Sequence, residues 1–259
     1  MKLSKQALIG YPAGIITGVT YGLNPLFAMP LLMAGAAVQS VLFFRYAIAV
    51  MLLGGWLLLR RQNFKVDLRQ LGVLLITGLL YTSSSLFLFM AYRYVASGLA
   101  TTLVFLAPVF VAIIMVFLGK TPSWPVWLAI AATFAGVVIM TGGEDGGAID
   151  ARGVWLAIAS ALAYAIFMVI INHNKRIADI SDTLLTFYVL TVGAFVFLGI
   201  AAWSGNSLTA HLDNARAILS LIGLAVLPTI VSTATLAVAT RNIGATKAGL
   251  NMDAIKLMG

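Results

Sequence analysis

Gly10-Tyr11-Pro12-Ala13-Gly14-Ile15-Ile16-Thr17-Gly18-Val19-Thr20-Tyr21-Gly22 returns, in looser form, as Gly153-Val154-Trp155-Leu156-Ala157-Ile158-Ala159-Ser160-Ala161-Leu162-Ala163-Tyr164-Ala165. Small residues at every fourth position and one tyrosine come back together after 143 residues, and Phe44 returns as Phe187 at the same spacing. Further on, Ala91, Arg93, Val95, Ala96 and Ala100 reappear as Ala239, Arg241, Ile243, Gly244 and Ala248, now 148 residues apart, which implies a small insertion between. A doubled unit of this length sets the architecture before any single residue is interpreted.

Composition names the solvent. The residues are 61% apolar and 9% charged, against roughly 25% charged in ordinary soluble domains, and the mean hydropathy is +1.03. This pattern is that of an integral membrane protein whose partner is the lipid bilayer. The formal charge of +8 does not point to nucleic acid, because the basic residues form short clusters between apolar runs rather than one soluble face. With no cysteine, disulfides and thiolate metal sites are excluded. The start, with Lys2, Lys5, an apolar run and Ala34-Gly35-Ala36, has the outline of a signal peptide. The run from about 7 to 32 is too long for that and carries Tyr11, Thr17, Thr20, Tyr21 and Asn24, so it reads as a spanning helix.

A spanning helix needs about 20 mostly apolar residues. Eight such runs are expected, over about 7–32, 38–59, 69–91, 99–118, 124–141, 153–172, 183–203 and 217–239, joined by short loops. Lys and Arg concentrate on the cytoplasmic side. A cytoplasmic N-terminus places eleven of them inside (Lys2, Lys5, Arg60, Arg61, Lys65, Arg69, Lys120, Lys175, Arg176, Arg241 and Lys247) and only Arg93, Arg152 and Arg216 outside. The first unit then holds five spans, an odd number, so the second must cross in the opposite sense. That is the inverted-repeat plan of secondary transporters, with the substrate site near the midplane between the halves. The expected fold is all-α, an inverted repeat of five-helix units of which the second is incomplete: unit one over 1–148, unit two over 149–248, and an aberrant tail over 249–259. Lys256 stands where the repeat would place the partner of Pro108, and a charge at a helix centre costs about 2.5 to 3.5 kcal/mol on insertion scales. Helices nine and ten are therefore expected to be missing, leaving eight.

The two units, and above all the stretch Ala96-Ser97-Gly98-Leu99-Ala100-Thr101-Thr102-Leu103-Val104-Phe105-Leu106-Ala107-Pro108-Val109-Phe110, resemble the EamA-type domain of the drug/metabolite transporter superfamily. The resemblance covers essentially residues 1–248. It implies a ten-helix exporter or permease for amino acids, amines or related metabolites, without a bound cofactor. The chain departs from the family pattern at Lys120, where an acidic residue commonly follows Leu118-Gly119, and in lacking about the C-terminal fifth of the length the resemblance implies.

Arg45 is the sharpest single signal. It lies about seven residues into the second span, about 10 Å below its start at 1.5 Å per residue. An intramembrane arginine faces protein or a water-filled cavity and marks a functional site by default; the structural alternative is an arginine capping carbonyls of a neighbouring helix. Its repeat counterpart is Tyr188, so the charge stands on one side of the pseudo-axis only. Every acidic residue before position 249 falls in an expected loop (Asp67, Glu144, Asp145, Asp150, Asp179, Asp182 and Asp213). An unpaired Arg45 suits a substrate carboxylate, which could supply a charge-assisted bidentate pair, and the missing intramembrane acid disfavours proton-coupled export of lipophilic cations.

Asn24 precedes Pro25, where a break would free backbone carbonyls toward a cavity. Tyr81 to Ser85 open a polar patch in the third span, with Thr229, Ser232 and Thr233 in the matching stretch of the eighth, where Pro228 implies a kink. Serine and threonine inside spans more often bond their own backbone or a neighbouring helix than a substrate, and the small-residue stripes more often serve close helix approach. The candidate substrate-binding residues are Arg45, Asn24, Tyr21, Tyr81, Tyr164, Ser84 and Tyr188. His173 and His211 fall on opposite faces, and no G-x-S-x-G, H-E-x-x-H or phosphate loop occurs, so neither an enzyme, a cofactor nor a metal is expected.

The sequence thus points to a multi-pass transporter of the bacterial inner membrane, moving an amino acid or a related zwitterion or organic anion by alternating access, as efflux or facilitated diffusion. A noncatalytic membrane subunit, an inactive truncated transporter and a cationic drug exporter are the alternatives. A second chain, as in a homodimer, could supply the apolar partners that the absent helices leave missing.

Overall fold

In the computed structural model, the described residues are 5–119, 127, 131, 135, 150–205, 208–209, 211–212 and 214–243. Their regular secondary structure is helical, with no strand among them. In chain order the helices are α1 (Lys5–Gly22), α2 (Asn24–Met33), α3 (Val38–Leu59), α4 (Leu68–Ala91), α5 (Ser97–Val104), α6 (Ala107–Phe117), α7 (Ala151–His173), α8 (Asp182–Trp203), α9 (Ala215–Ala225) and α10 (Ser232–Ile243). A π-helical turn, Val226–Val231, joins α9 to α10. Among the described residues seven stretches are long and apolar enough to cross a bilayer: Leu8–Met33, Val38–Leu59, Leu68–Ala91, Ser97–Phe117, Ala151–His173, Asp182–Trp203 and Ala215–Ala239. The run expected over 124–141 and the tail 249–259 lie outside the described residues.

Polar residues start the spans and proline marks their breaks. Asp67 accepts from Gln70 N at 2.6 Å while the Gln70 side chain accepts from Asp67 N at 2.9 Å, a reciprocal cap on α4. Asp150, Ser181 and Asn214 cap α7, α8 and α9 with single side-chain oxygens. Gly35, at φ +92, ends α2 in the left-handed conformation that a Cβ disfavours, with Ala36 N closing on Leu31 O at 3.1 Å.

Proline has no N–H to donate to the carbonyl four residues back. Pro25 would leave Tyr21 O bare, and the Asn24 amide fills it at 3.0 Å. Pro228 would leave Leu224 O bare, and the Thr229 hydroxyl fills it at 2.8 Å. The expected break at Asn24-Pro25 is thus present, with the freed carbonyl satisfied by the neighbouring side chain rather than turned to a cavity. The kink expected at Pro228 takes the form of the π-turn. The fourth span, read as one run, is two helices that meet at Phe105-Leu106.

Spans from the two ends of the chain pack against each other. Helix α3 lies antiparallel to α8, with Gln39 beside Ser204, Tyr46 against Phe197, and Phe187 against Gly54. Helix α4 lies antiparallel to α7, with Gln70 bonded to Arg176 O, Ser84 to Ser160, and Val95 against Gly153. The α1–α2 span lies antiparallel to the α9–α10 span through Thr17 with Thr235 and Phe27 with Gly223. Helices α4 and α8 run parallel, with Gly78 against Val192 and Thr82 against Gly193.

These pairings define two ends of the bundle. One carries Arg60, Arg61, Lys65, Arg69, Lys175 and Arg176; the other carries Arg93, Asp150, Arg152 and Arg216. The α5–α6 span starts next to Val95 at the second end and runs toward the first, so Gly119 and Asp150 lie at opposite ends. Large apolar side chains such as Leu8, Ile16, Leu58, Phe117 and Phe195 are exposed, as a lipid-facing surface requires.

Candidate substrate site

Four tyrosines from four spans line up at the centre of the bundle. The ring of Tyr21 (α1) is 6.3 Å from Tyr164 (α7), Tyr164 is 6.2 Å from Tyr81 (α4), and Tyr81 stacks on Tyr46 (α3) at 6.0 Å. Phe105, Phe167 and Phe197 close the row at 5.2 to 6.4 Å. All four tyrosines are buried. The Tyr46 hydroxyl shares a hydrogen bond with Ser85 Oγ at 2.6 Å. Among the described residues the hydroxyls of Tyr21, Tyr81 and Tyr164 make none, which leaves three donors available to a ligand or water.

Small residues let the rings meet. A Cβ at Gly193 would fall 2.3 Å from the Tyr46 ring, so only glycine allows α3 and α8 this approach.

Arg45 sits one ring further in, 2% exposed. Its Nε donates to Thr229 Oγ1 at 2.5 Å and its Nη2 to Pro228 O at 3.4 Å, and its guanidinium carbon lies 5.6 Å from the Phe89 ring centre and 5.9 Å from that of Tyr46. Among the described residues no carboxylate pairs with it. A buried charge needs compensation, since desolvation costs several kcal/mol per ion. Hydroxyl, carbonyl and aromatic contacts supply part of that and, among the described residues, leave further N–H donors uncommitted.

A cavity of about 420 Å³ opens at the basic end and reaches the aromatic row at Tyr81 and Phe167, short of Arg45, Tyr21 and Tyr164. Asn172, His173, Asn174, Lys175 and Asp182 form its mouth. Thr186, Val189 and Leu190 of α8 and Thr233, Leu236 and Ala237 of α10 form its walls. Tyr81 and Phe167 form its floor. The volume suits a small metabolite.

The structure brings Tyr21, Tyr81 and Tyr164 together with Arg45 close by, and places Asn24 next to Tyr21. Asn24 has no exposed surface, and among the described residues its Oδ1 has no partner while its amide nitrogen caps Tyr21 O. Ser84 faces α7, where its hydroxyl lies 3.1 Å from Ser160 Oγ and its carbonyl accepts from the same group at 2.7 Å. Tyr188 is not in the cluster: its hydroxyl donates to Phe64 O at 2.6 Å, at the basic end. Sequence reading missed Tyr46, Phe167, Ser160 and the cavity mouth. Tyr46 adjoins Arg45 in mid-span and Ser160 lies inside the small-residue stripe, so both carried a local signal.

This geometry defines a polytopic integral membrane protein with an aromatic, polar-studded centre reached by a cavity from one end. The family comparison makes the class specific, because the profile of the EamA-like transporter family matches residues 8–142 and again 151–255. The chain belongs to the EamA-like transporter family. It is 24% identical over 254 residues to an uncharacterized transporter, YdfC, of Bacillus subtilis (strain 168), a match covering 96% of this chain and 78% of that protein. A crystal structure with 17% sequence identity superposes with a TM-score of 0.69 over 95% of this chain and 83% of its own, which shows a shared fold.

Proposed function

We propose that this membrane transporter carries a small metabolite bearing a carboxylate, an amino acid or a related zwitterion or organic anion, by alternating access. The observation that carries the substrate class is Arg45, a nearly fully buried cation with no carboxylate partner among the described residues. A substrate carboxylate arriving past Tyr81 would neutralise it by charge-assisted hydrogen bonds, and the hydroxyls of Tyr21, Tyr81 and Tyr164 would add neutral donors.

The proposal includes two inverted units, 1–148 and 149–248, in a plasma membrane. The antiparallel and parallel pairings above support it: if α1 runs one way, α8 runs with it and α7 against it, so the Gly10–Gly22 and Gly153–Ala165 segments point oppositely. An eighth crossing over 124–141 belongs to the same reading, supported by Gly119 and Asp150 lying at opposite ends. The basic end faces the cytoplasm by the excess of Lys and Arg there, which makes the cavity inward-facing.

The test is flux in proteoliposomes of the purified protein, with labelled amino acids and dicarboxylates on one arm and a lipophilic organic cation on the other. Saturable carboxylate flux, at least tenfold lower in Tyr81→Ala, is expected. Cation flux without carboxylate flux would overturn the substrate class and favour the drug-export reading, which the aromatic row also suits through cation–π contact.

A further inference from the structure

We propose that Arg45 is the latch of a hinge in the last described span, holding the π-turn Val226–Val231 that aims α10 into the cavity wall. Three observations meet at this turn. Pro228 removes a backbone donor, and the Thr229 hydroxyl donates to Leu224 O five residues back at 2.8 Å. That same hydroxyl oxygen accepts from Arg45 Nε at 2.5 Å, and the Pro228 carbonyl accepts from Nη2 at 3.4 Å. Thr233 Oγ1 then donates to Thr229 O at 2.5 Å, linking the turn to the first turn of α10.

A π-turn holds one residue more than the α-helical ladder needs, so its rotation is stored in the helix that follows. At 3.6 residues per turn, relaxing it to regular α-helix turns everything beyond by about 100°. Thr233, Leu236 and Ala237 line the cavity only because of that phase. Helix α1 also packs on the turn, but among the described residues the guanidinium, held on α3 beside the rings of Phe89 and Tyr46, is the side chain outside the span that hydrogen-bonds it. Arg45 is thus a positioning residue: it acts on the cavity through Thr229. If the transport reading above also holds, a substrate carboxylate would compete with Thr229 and Pro228 for the same guanidinium, so binding and release of the hinge become one event.

The absence of cysteine makes the test direct. Ala237→Cys, on the cavity wall, is labelled with a water-soluble maleimide in detergent-purified protein, in backgrounds of native sequence, Arg45→Gln, Thr229→Val, both together, and Thr229→Ser. Thr186→Cys, on the opposing α8 wall, is the reference position. The latch predicts that Arg45→Gln and Thr229→Val each slow labelling of the Ala237→Cys thiol by roughly tenfold, the shift expected from losing one hydrogen bond to a charged group. Combining them adds little, Thr229→Ser labels like the native background, and labelling of Thr186→Cys is unaffected. Unchanged rates for Ala237→Cys, additive effects, or an equal change for Thr186→Cys would each overturn it. If Arg45→Gln fails to fold, the contrast between Thr229→Val and Thr229→Ser decides alone. Flux is measured separately, so a failure of the substrate proposal leaves this readout standing.

Discussion

Replacing Gly193 by alanine tests the central packing most sharply. The added Cβ would lie 2.3 and 2.4 Å from atoms of the Tyr46 ring and 2.7 Å from Thr82 Oγ1, where ordinary contacts begin near 3.4 Å. The ring cannot step aside, because its hydroxyl is held by Ser85 at 2.6 Å, its face is stacked on Tyr81, and Phe197 abuts it edge-on. Overpacking a core costs about 1–3 kcal/mol. If α3 and α8 part to make room, the Tyr46–Ser85 hydrogen bond is lost as well, about 1 kcal/mol more. A destabilisation of about 3 kcal/mol is therefore expected. Gly199 on the same helix provides the control, since a Cβ there meets nothing within 4 Å. Gly199→Ala should be neutral or stabilising by up to about 1 kcal/mol through helix propensity. Chemical unfolding in mixed micelles, followed by circular dichroism, measures both. Equal stabilities for the two variants would refute the close approach of α3 and α8 at Tyr46.

Three further outcomes follow from the hydrogen bonds. Asn24→Ala should cost about 1–3 kcal/mol, because it bares the buried Tyr21 carbonyl; adding Pro25→Ala should recover most of that by restoring the backbone donor, and additive losses in unfolding would show that the amide does not cap it. Ser160→Ala should cost about 1–2 kcal/mol by removing the bond to Ser84 O between α4 and α7, read in the same unfolding assay, where an unchanged midpoint would contradict it. A double-mutant cycle on Thr17→Val and Thr235→Val should give a coupling of about 0.6 kcal/mol, the usual strength of an interhelical hydroxyl pair in a membrane protein, since each hydroxyl has one hydrogen and the one that donates across the pair gives up its own bond to Ala13 O or Val231 O; zero coupling would separate α1 from α10.

The spans were legible because a bilayer demands length and apolarity, and both can be read without knowing neighbours. Pro25 and Pro228 were legible as breaks for the same local reason, the absence of an N–H. What repairs each break was less so. Asn24 is adjacent to its proline, but the group fixed on Thr229 is Arg45, 184 residues away, and no periodicity connects them. The interruption at Phe105-Leu106 was missed because both residues are apolar and continue the hydropathy of their span. Tyr188 was singled out as the repeat partner of Arg45. Pairing of α3 with α8 instead leaves Tyr188 at the basic end on Phe64, because antiparallel helices match residues whose numbers sum to a constant rather than residues a fixed distance apart. Gln39 with Ser204 and Tyr46 with Phe197 follow that rule. Tyr21 and Tyr164 are legible from position in the repeat and Tyr81 from the polar patch it opens, whereas Tyr46 had only its adjacency to Arg45 as a signal, and its place in the row depends on tertiary packing.

The cross-chain pairing of spans also sets a timetable for biosynthesis. Thr17 leaves the ribosome 218 residues before its partner Thr235 exists, a wait of roughly 10 to 40 s at 5–20 residues per second. During that time α1, α3 and α4 stand in the bilayer with few of their final contacts, and the buried Arg45 has neither Thr229 nor Pro228 to bond. The early half must therefore be held by lipid, by insertion machinery or by transient self-association. Substitutions that weaken the late spans will be felt first as degradation of an unfinished chain.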